Sequence, residues 1–118
     1  MSETRQDNRG ARYHLNDKSW NSFCEMPWFL FSDEFKGMGN DARVLYSVIR
    51  DRHGLSLENQ WVNENGEFYV LFSREEMCKV LGVSDSTITR TMKVLKEKKL
   101  IEEERQGLGQ PNRIYLLT

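Results

Sequence analysis

The chain has 118 residues, 38% of them hydrophobic and 30% charged, with a formal net charge of −1. That length suits one compact domain with a modest core. No run approaches the roughly 20 apolar residues of a membrane span and no signal peptide opens the chain, so a cytoplasmic protein without membrane contact is expected.

Residues 1–19 are polar, of mixed charge and without apolar periodicity, which predicts a flexible arm. An aromatic stretch follows, with Trp20, Phe23, Trp28, Phe29, Phe31 and Phe35. Met26-Pro27 disfavours helix there, so the segment is expected to be extended or irregular. Either it covers the core, or Trp20, Phe23, Trp28, Phe29 and Phe31 form a surface that pairs with a second copy. Asn40 is placed to cap a helix from Asp41 to about Leu57, with Ala42, Leu45, Val48, Ile49 and Arg52 on its inner stripe. Gly54 is expected to weaken or end it. Between Trp61 and Phe72, Asn65-Gly66 separates two apolar runs, a strong hairpin signal.

The segment from Ser73 to Leu117 is the most informative. Ser73 followed three residues later by Glu76 predicts a capping box opening a helix whose apolar face includes Val80 and Leu81. Gly82 can end that helix in a left-handed conformation. Ser84 can cap a second helix, read as Asp85 to Lys99, with Ile88, Met92, Leu95 and the Lys99 stem on one side. Ser86, Arg90, Lys93 and Glu97 fall on the other side. Ile101–Leu117 then reads as a two-stranded ribbon around Gly107-Leu108-Gly109. Helix, tight turn, capped helix and glycine-tipped ribbon describe a winged helix-turn-helix, which places its second helix in the DNA major groove. The fold class expected is α+β, mainly helical: a winged helix-turn-helix over residues 20–118 with an extra β-hairpin and an N-terminal arm.

On this reading Ser84, Ser86, Thr87, Thr89, Arg90 and Lys93 form the reading surface, because hydroxyls and cations suit base edges and phosphates. Arg105, Gln110, Asn112 and Arg113 would bring the wing to the backbone or minor groove. Arg113 has a second use, pairing with the Glu102–Glu104 strand opposite. Charge is distributed in the same sense. Residues 84–118 hold seven Lys/Arg against five Asp/Glu, and residues 21–83 hold six against ten. The basic surplus sits on the reading helix and wing, but it is small, so one copy should bind weakly and with strong salt dependence.

Catalytic chemistry is not expected. His14 and His53 are the only histidines, too few and too far apart for a metal-assisted nicking site. The glycine pair of the ribbon lacks the Gly-Lys-Ser/Thr of a phosphate loop, and the carboxylate runs lack partner ligands. No metal and no cofactor are expected. Cys24 and Cys78 have no paired spacing and read as reduced thiols.

Several stretches also resemble a known family. Residues 26–31 (MPWFLF), 40–46 (NDARVLY), 61–66 (WVNENG) and the wing 105–115 (RQGLGQPNRIY) are similar to the N-terminal domain of plasmid replication initiator A proteins of Gram-positive bacteria. The resemblance runs from about Phe23 to the end. It implies a winged-helix domain that binds repeated sequences in a plasmid origin as a homodimer. It also implies a separate C-terminal domain, not present in this chain, that contacts host replication machinery. Two other functions share the fold: a transcriptional repressor, and a protein-binding winged helix of the kind used in primosome assembly.

Overall fold

The computed structural model describes residues 23–118 together with Gly10 and Arg12. Otherwise the expected arm over residues 1–19, and Trp20, lie outside the described residues. Pro27, in an extended conformation, opens a 3-10 turn at Trp28–Phe31, and a second turn spans Asp33–Phe35. The irregular path expected of Met26-Pro27 is therefore present as two tight turns. Leu30, Phe35 and Met38 point into the core.

Helix α1 runs Asn40–Asn59, longer than expected, and passes through Gly54 without a break. Its cap is Gly39, at φ 91°, and not Asn40. The Asn40 carboxamide oxygen instead accepts a hydrogen bond from the Arg43 guanidinium at 2.8 Å. Arg43 is the buried centre of this region: it donates to the carbonyls of Leu30 (2.8 Å) and Phe35 (3.0 Å) and lies 4.9 Å from the Phe31 ring. A guanidinium is suited to this because its rigid fork presents several donors at once. The inner stripe of α1 is Ala42, Leu45, Tyr46 and Ile49, with Val48 half-buried. Arg52 lies over the Phe72 ring at 4.2 Å.

The hairpin expected around Asn65-Gly66 forms as a short one: Val62 bridges Phe68, and the Asn63 and Tyr69 N–H groups donate to the Glu67 and Trp61 carbonyls, each at 3.0 Å. Asn63 explains its shape: its side-chain oxygen accepts from the Asn65 and Glu67 backbone N–H groups, and Gly66 takes φ 83°. The chain beyond it, β1 (Val70–Leu71), pairs with the wing instead. The sheet has three antiparallel strands in the order β1, β3, β2, where β2 is Ile101–Glu104 and β3 is Arg113–Leu116. Cross-strand partners include Val70 with Ile114 and Glu104 with Arg113.

Between β1 and β2 lie α2 (Arg74–Leu81) and α3 (Asp85–Glu97). Both halves of the Ser73–Glu76 capping box form, and Gly82 ends α2 at φ 70°. Met77, not Val80, is the buried residue of α2; Val80 is 46% exposed. Ile88, Met92 and Leu95 of α3 are fully buried, each stabilising the fold by about 1.5–3 kcal/mol through apolar burial. Helix α3 stops at Glu97, two residues early, and Lys99 turns to φ 60°. Lys99 is therefore exposed and does not cover the core edge as its spacing suggests. The fold is α+β: among the described residues, three α-helices on a small antiparallel sheet, with the architecture of a winged helix. No helix among the described residues is long and apolar enough to cross a membrane.

Candidate nucleic-acid interface

The turn between α2 and α3 is built so that the start of α3 is exposed and rigid. The Ser84 hydroxyl accepts from the Thr87 backbone N–H at 3.3 Å and lies within 3.1 Å of the Ser86 and Thr87 hydroxyls. Behind it, the buried Thr91 hydroxyl donates to the Thr87 carbonyl at 2.6 Å. Ser84 and Thr87 thus spend part of their hydrogen-bonding capacity on the cap. Ser86, Thr89, Arg90 and Lys93 stand exposed. Among the described residues, Arg90 and Lys93 make no ion pair with a carboxylate. Arg90 borders a shallow depression of about 280 Å³ shared with Asn40 and Asp41 at the start of α1 and with Thr91 and Val94.

The wing residues divide into two pairs. Arg105 and Gln110 are exposed near the loop tip, where Gly107 and Gly109 take φ 143° and 74°. Asn112 and Arg113 are turned inward. The Asn112 amide donates to Glu103 at 3.1 Å. Arg113 donates to the Gln106 side chain at 3.2 Å, approaches Glu104 at 3.7 Å and stacks on the Tyr69 ring at 4.5 Å. The cross-strand pair that the sequence offers Arg113 is formed, with Glu104.

Sequence reasoning missed the hub of this surface. Glu103, with a side chain 6% exposed, receives Arg74 through both guanidinium nitrogens (2.9 and 3.1 Å), Lys96 at 3.0 Å and Asn112 at 3.1 Å. Burial alone would raise its pKa, but the hydrogen bonds from Arg74, Lys96 and Asn112 outweigh it and hold the carboxyl below its usual value. One carboxylate therefore ties the start of α2, the last turn of α3, β2 and the wing loop together. Within a run of three glutamates nothing local marks the middle one; only the strand alternation that turns Glu103 inward could have. Beside it opens a cleft of about 610 Å³ bordered by Arg74, Lys96, Arg105 and Gln110.

The expected dimer residues that the structure describes stay on the surface. Trp28 is 86% exposed and Phe23 66%, while Phe29 and Phe31 are nearly half exposed. The segment between them sends Leu30 inward, so it serves as core cover and presents aromatic surface at once.

A capped, exposed α3 beside a glycine-tipped wing defines the class: a winged-helix domain in which the last turn of α3 and the wing loop border one cleft. The family described as the N-terminus of replication initiator protein A (RepA) matches residues 22–118, and the chain belongs to that family. A curated relative, a 41 kDa protein of Lactobacillus helveticus, is 32% identical over 90% of this chain. The chain spans only 32% of that relative's length. Among solved structures, an N-terminal domain of a DNA-binding protein has a TM-score of 0.75 at 31% identity, covering 91% of this chain and 83% of that one. A Rep–DNA complex has the same TM-score and identity, covering 91% and 84%. An MDR initiator reaches 0.74 at 27% identity, covering 91% and 86%.

Proposed function

We propose that this domain binds double-stranded DNA at repeated sites in a plasmid origin and thereby initiates plasmid replication. In this role α3 enters the major groove, and the wing tip follows the adjacent backbone through Arg105 and Gln110. The observation that carries the reading is the exposed face of α3, where Arg90 and Lys93 have no carboxylate partner among the described residues. Cations left without an internal partner beside hydroxyls suit phosphates and base edges. The likeness to a Rep–DNA complex supports the same partner. The domain acts by binding, without catalysis, in the cytoplasm. Contact with host replication machinery is assigned in this proposal to parts of the protein outside the winged-helix domain.

The modest basic surplus argues for two copies on paired repeats, since linked sites gain affinity through effective concentration. The exposed Phe23, Trp28, Phe29 and Phe31 are the surface on which such a homodimer would form. The test is binding to an origin fragment carrying the repeats and to a scrambled duplex of equal composition. Preference for the repeats supports the reading, and equal binding to both contradicts it.

A further inference from the structure

We propose that Glu103 is a specificity-determining positioning residue: it withholds Arg74 and Lys96 from phosphates and fixes the wing against α3. The proposal rests on the reading of this face as a DNA interface. Arg74 is the first residue of α2, where the helix dipole disfavours a cation. It nevertheless stands there, held by a two-nitrogen clasp on Glu103. Lys96 follows Lys93 on α3 but turns to the same carboxylate. Two cations bordering the wing cleft are thus neutralised by a carboxylate whose side chain is 6% exposed, while Arg90 and Lys93 have no carboxylate partner among the described residues.

Such an arrangement separates two kinds of binding. Free cations attract every duplex alike, because phosphate neutralisation carries no sequence information. Sequestering Arg74 and Lys96 lowers this indiscriminate attraction. The fourth bond on Glu103, from Asn112, fastens the wing loop to the same point. The wing and α3 then present one rigid surface, which rewards the duplex that fits it. Losing the carboxylate would free two cations and loosen the wing together, strengthening binding to unrelated sequences and narrowing the advantage of the right one.

The experiment compares the parent chain with Glu103→Gln. The probes are the preferred duplex recovered from a randomised pool and a scrambled duplex of equal composition, each titrated with salt. Glu103→Gln should reduce the preference for the selected duplex by about tenfold or more and steepen the salt slope on the scrambled duplex by about 1–2. Unchanged preference and slope, in a variant with the parent's circular dichroism, overturn the proposal while leaving the DNA reading intact. A parent that prefers no duplex overturns the DNA reading and this proposal with it. If Glu103→Gln does not fold, Lys96→Gln in the parent decides. A slope unaltered by that change supports a sequestered Lys96, and a slope flattened by about 0.9 shows Lys96 already on phosphate and overturns the proposal.

Discussion

Arg43 and Arg90 show how differently one side chain can be used in a single small domain. Arg43 holds the two 3-10 turns onto α1 by donating to the Leu30 and Phe35 carbonyls, which lie in buried surroundings. Lysine carries the charge but not the fork, so Arg43→Lys should lower stability by about 2 kcal/mol, read from the midpoint of urea unfolding. A loss below the error of that measurement would show that water satisfies those carbonyls instead. Arg90 is exposed, and in the proposed function it serves binding, not folding. Its fork can reach O6 and N7 of one guanine, so Arg90→Ala should cost about 1–3 kcal/mol on the preferred duplex and relax preference at one base pair. Unfolding by urea should not change. Arg90 was legible in the sequence because it lies opposite Ile88, Met92 and Leu95. Arg43 was not, because nothing local shows that the turns before α1 bring their carbonyls onto its first turn.

Among the elements, those governed by neighbours in sequence were legible and those governed by distant pairing were not. The capping box, the left-handed Gly82 and the Ser84 cap depend on residues within four positions, and all formed as their spacing predicts. The partner of Val70–Leu71 depends on where the wing returns, so the run after Asn65-Gly66 reads as one hairpin strand although only Glu67–Tyr69 pair back on Trp61–Asn63 and Val70–Leu71 joins β3. The burial of Met77 over Val80 likewise follows from which side of α2 meets α3. The wing is now expected to act unevenly. Arg105→Ala should weaken all duplexes alike and flatten the salt slope by about 0.9. Arg113, paired with Glu104 and stacked on Tyr69, should lower unfolding stability when replaced by alanine and leave that slope nearly unchanged. A flattened slope for Arg113→Ala would return it to the phosphate contacts.

The carboxylates of these elements also give stability a pH dependence. The backbone bond from Ser73 to Glu76, and for Glu103 the three hydrogen bonds that overcome its burial, lower both pKa values in the fold. A carboxylate lowered in this way stabilises the fold above its unfolded pKa, about 4.3 for glutamate. That stability is lost as pH falls through the lower folded value. Urea midpoints should therefore be level at neutral pH and drop in acid, with Glu103→Gln showing a smaller acid drop than the parent. An equal drop in both would assign the acid sensitivity to other groups.

For the whole molecule, the proposed function draws on the basic surplus of residues 84–118 and on the exposed aromatic residues Phe23, Trp28, Phe29 and Phe31 for assembly on DNA. Trp28 is 86% exposed and meets the Arg43 network only at the edge of the Phe31 ring, 6.0 Å between centroids, so Trp28→Ser should abolish a dimer in solution while leaving the unfolding free energy within about 0.5 kcal/mol. Sedimentation at tens of micromolar, a range set by a micromolar Kd of about −8.2 kcal/mol, checks it; a variant as dimeric as the parent would move the interface elsewhere. Phe31→Ser is less clean, because the Phe31 ring also faces Arg43. The central claim is that α3 reads a duplex sequence. Its most direct measurement is a salt-titrated binding assay of the parent and Arg90→Ala on origin repeats and on a scrambled duplex. The parent should prefer the repeats at every salt concentration, and Arg90→Ala should lose most of that preference. Equal binding of both duplexes by the parent, or a preference untouched by Arg90→Ala, would contradict the central claim.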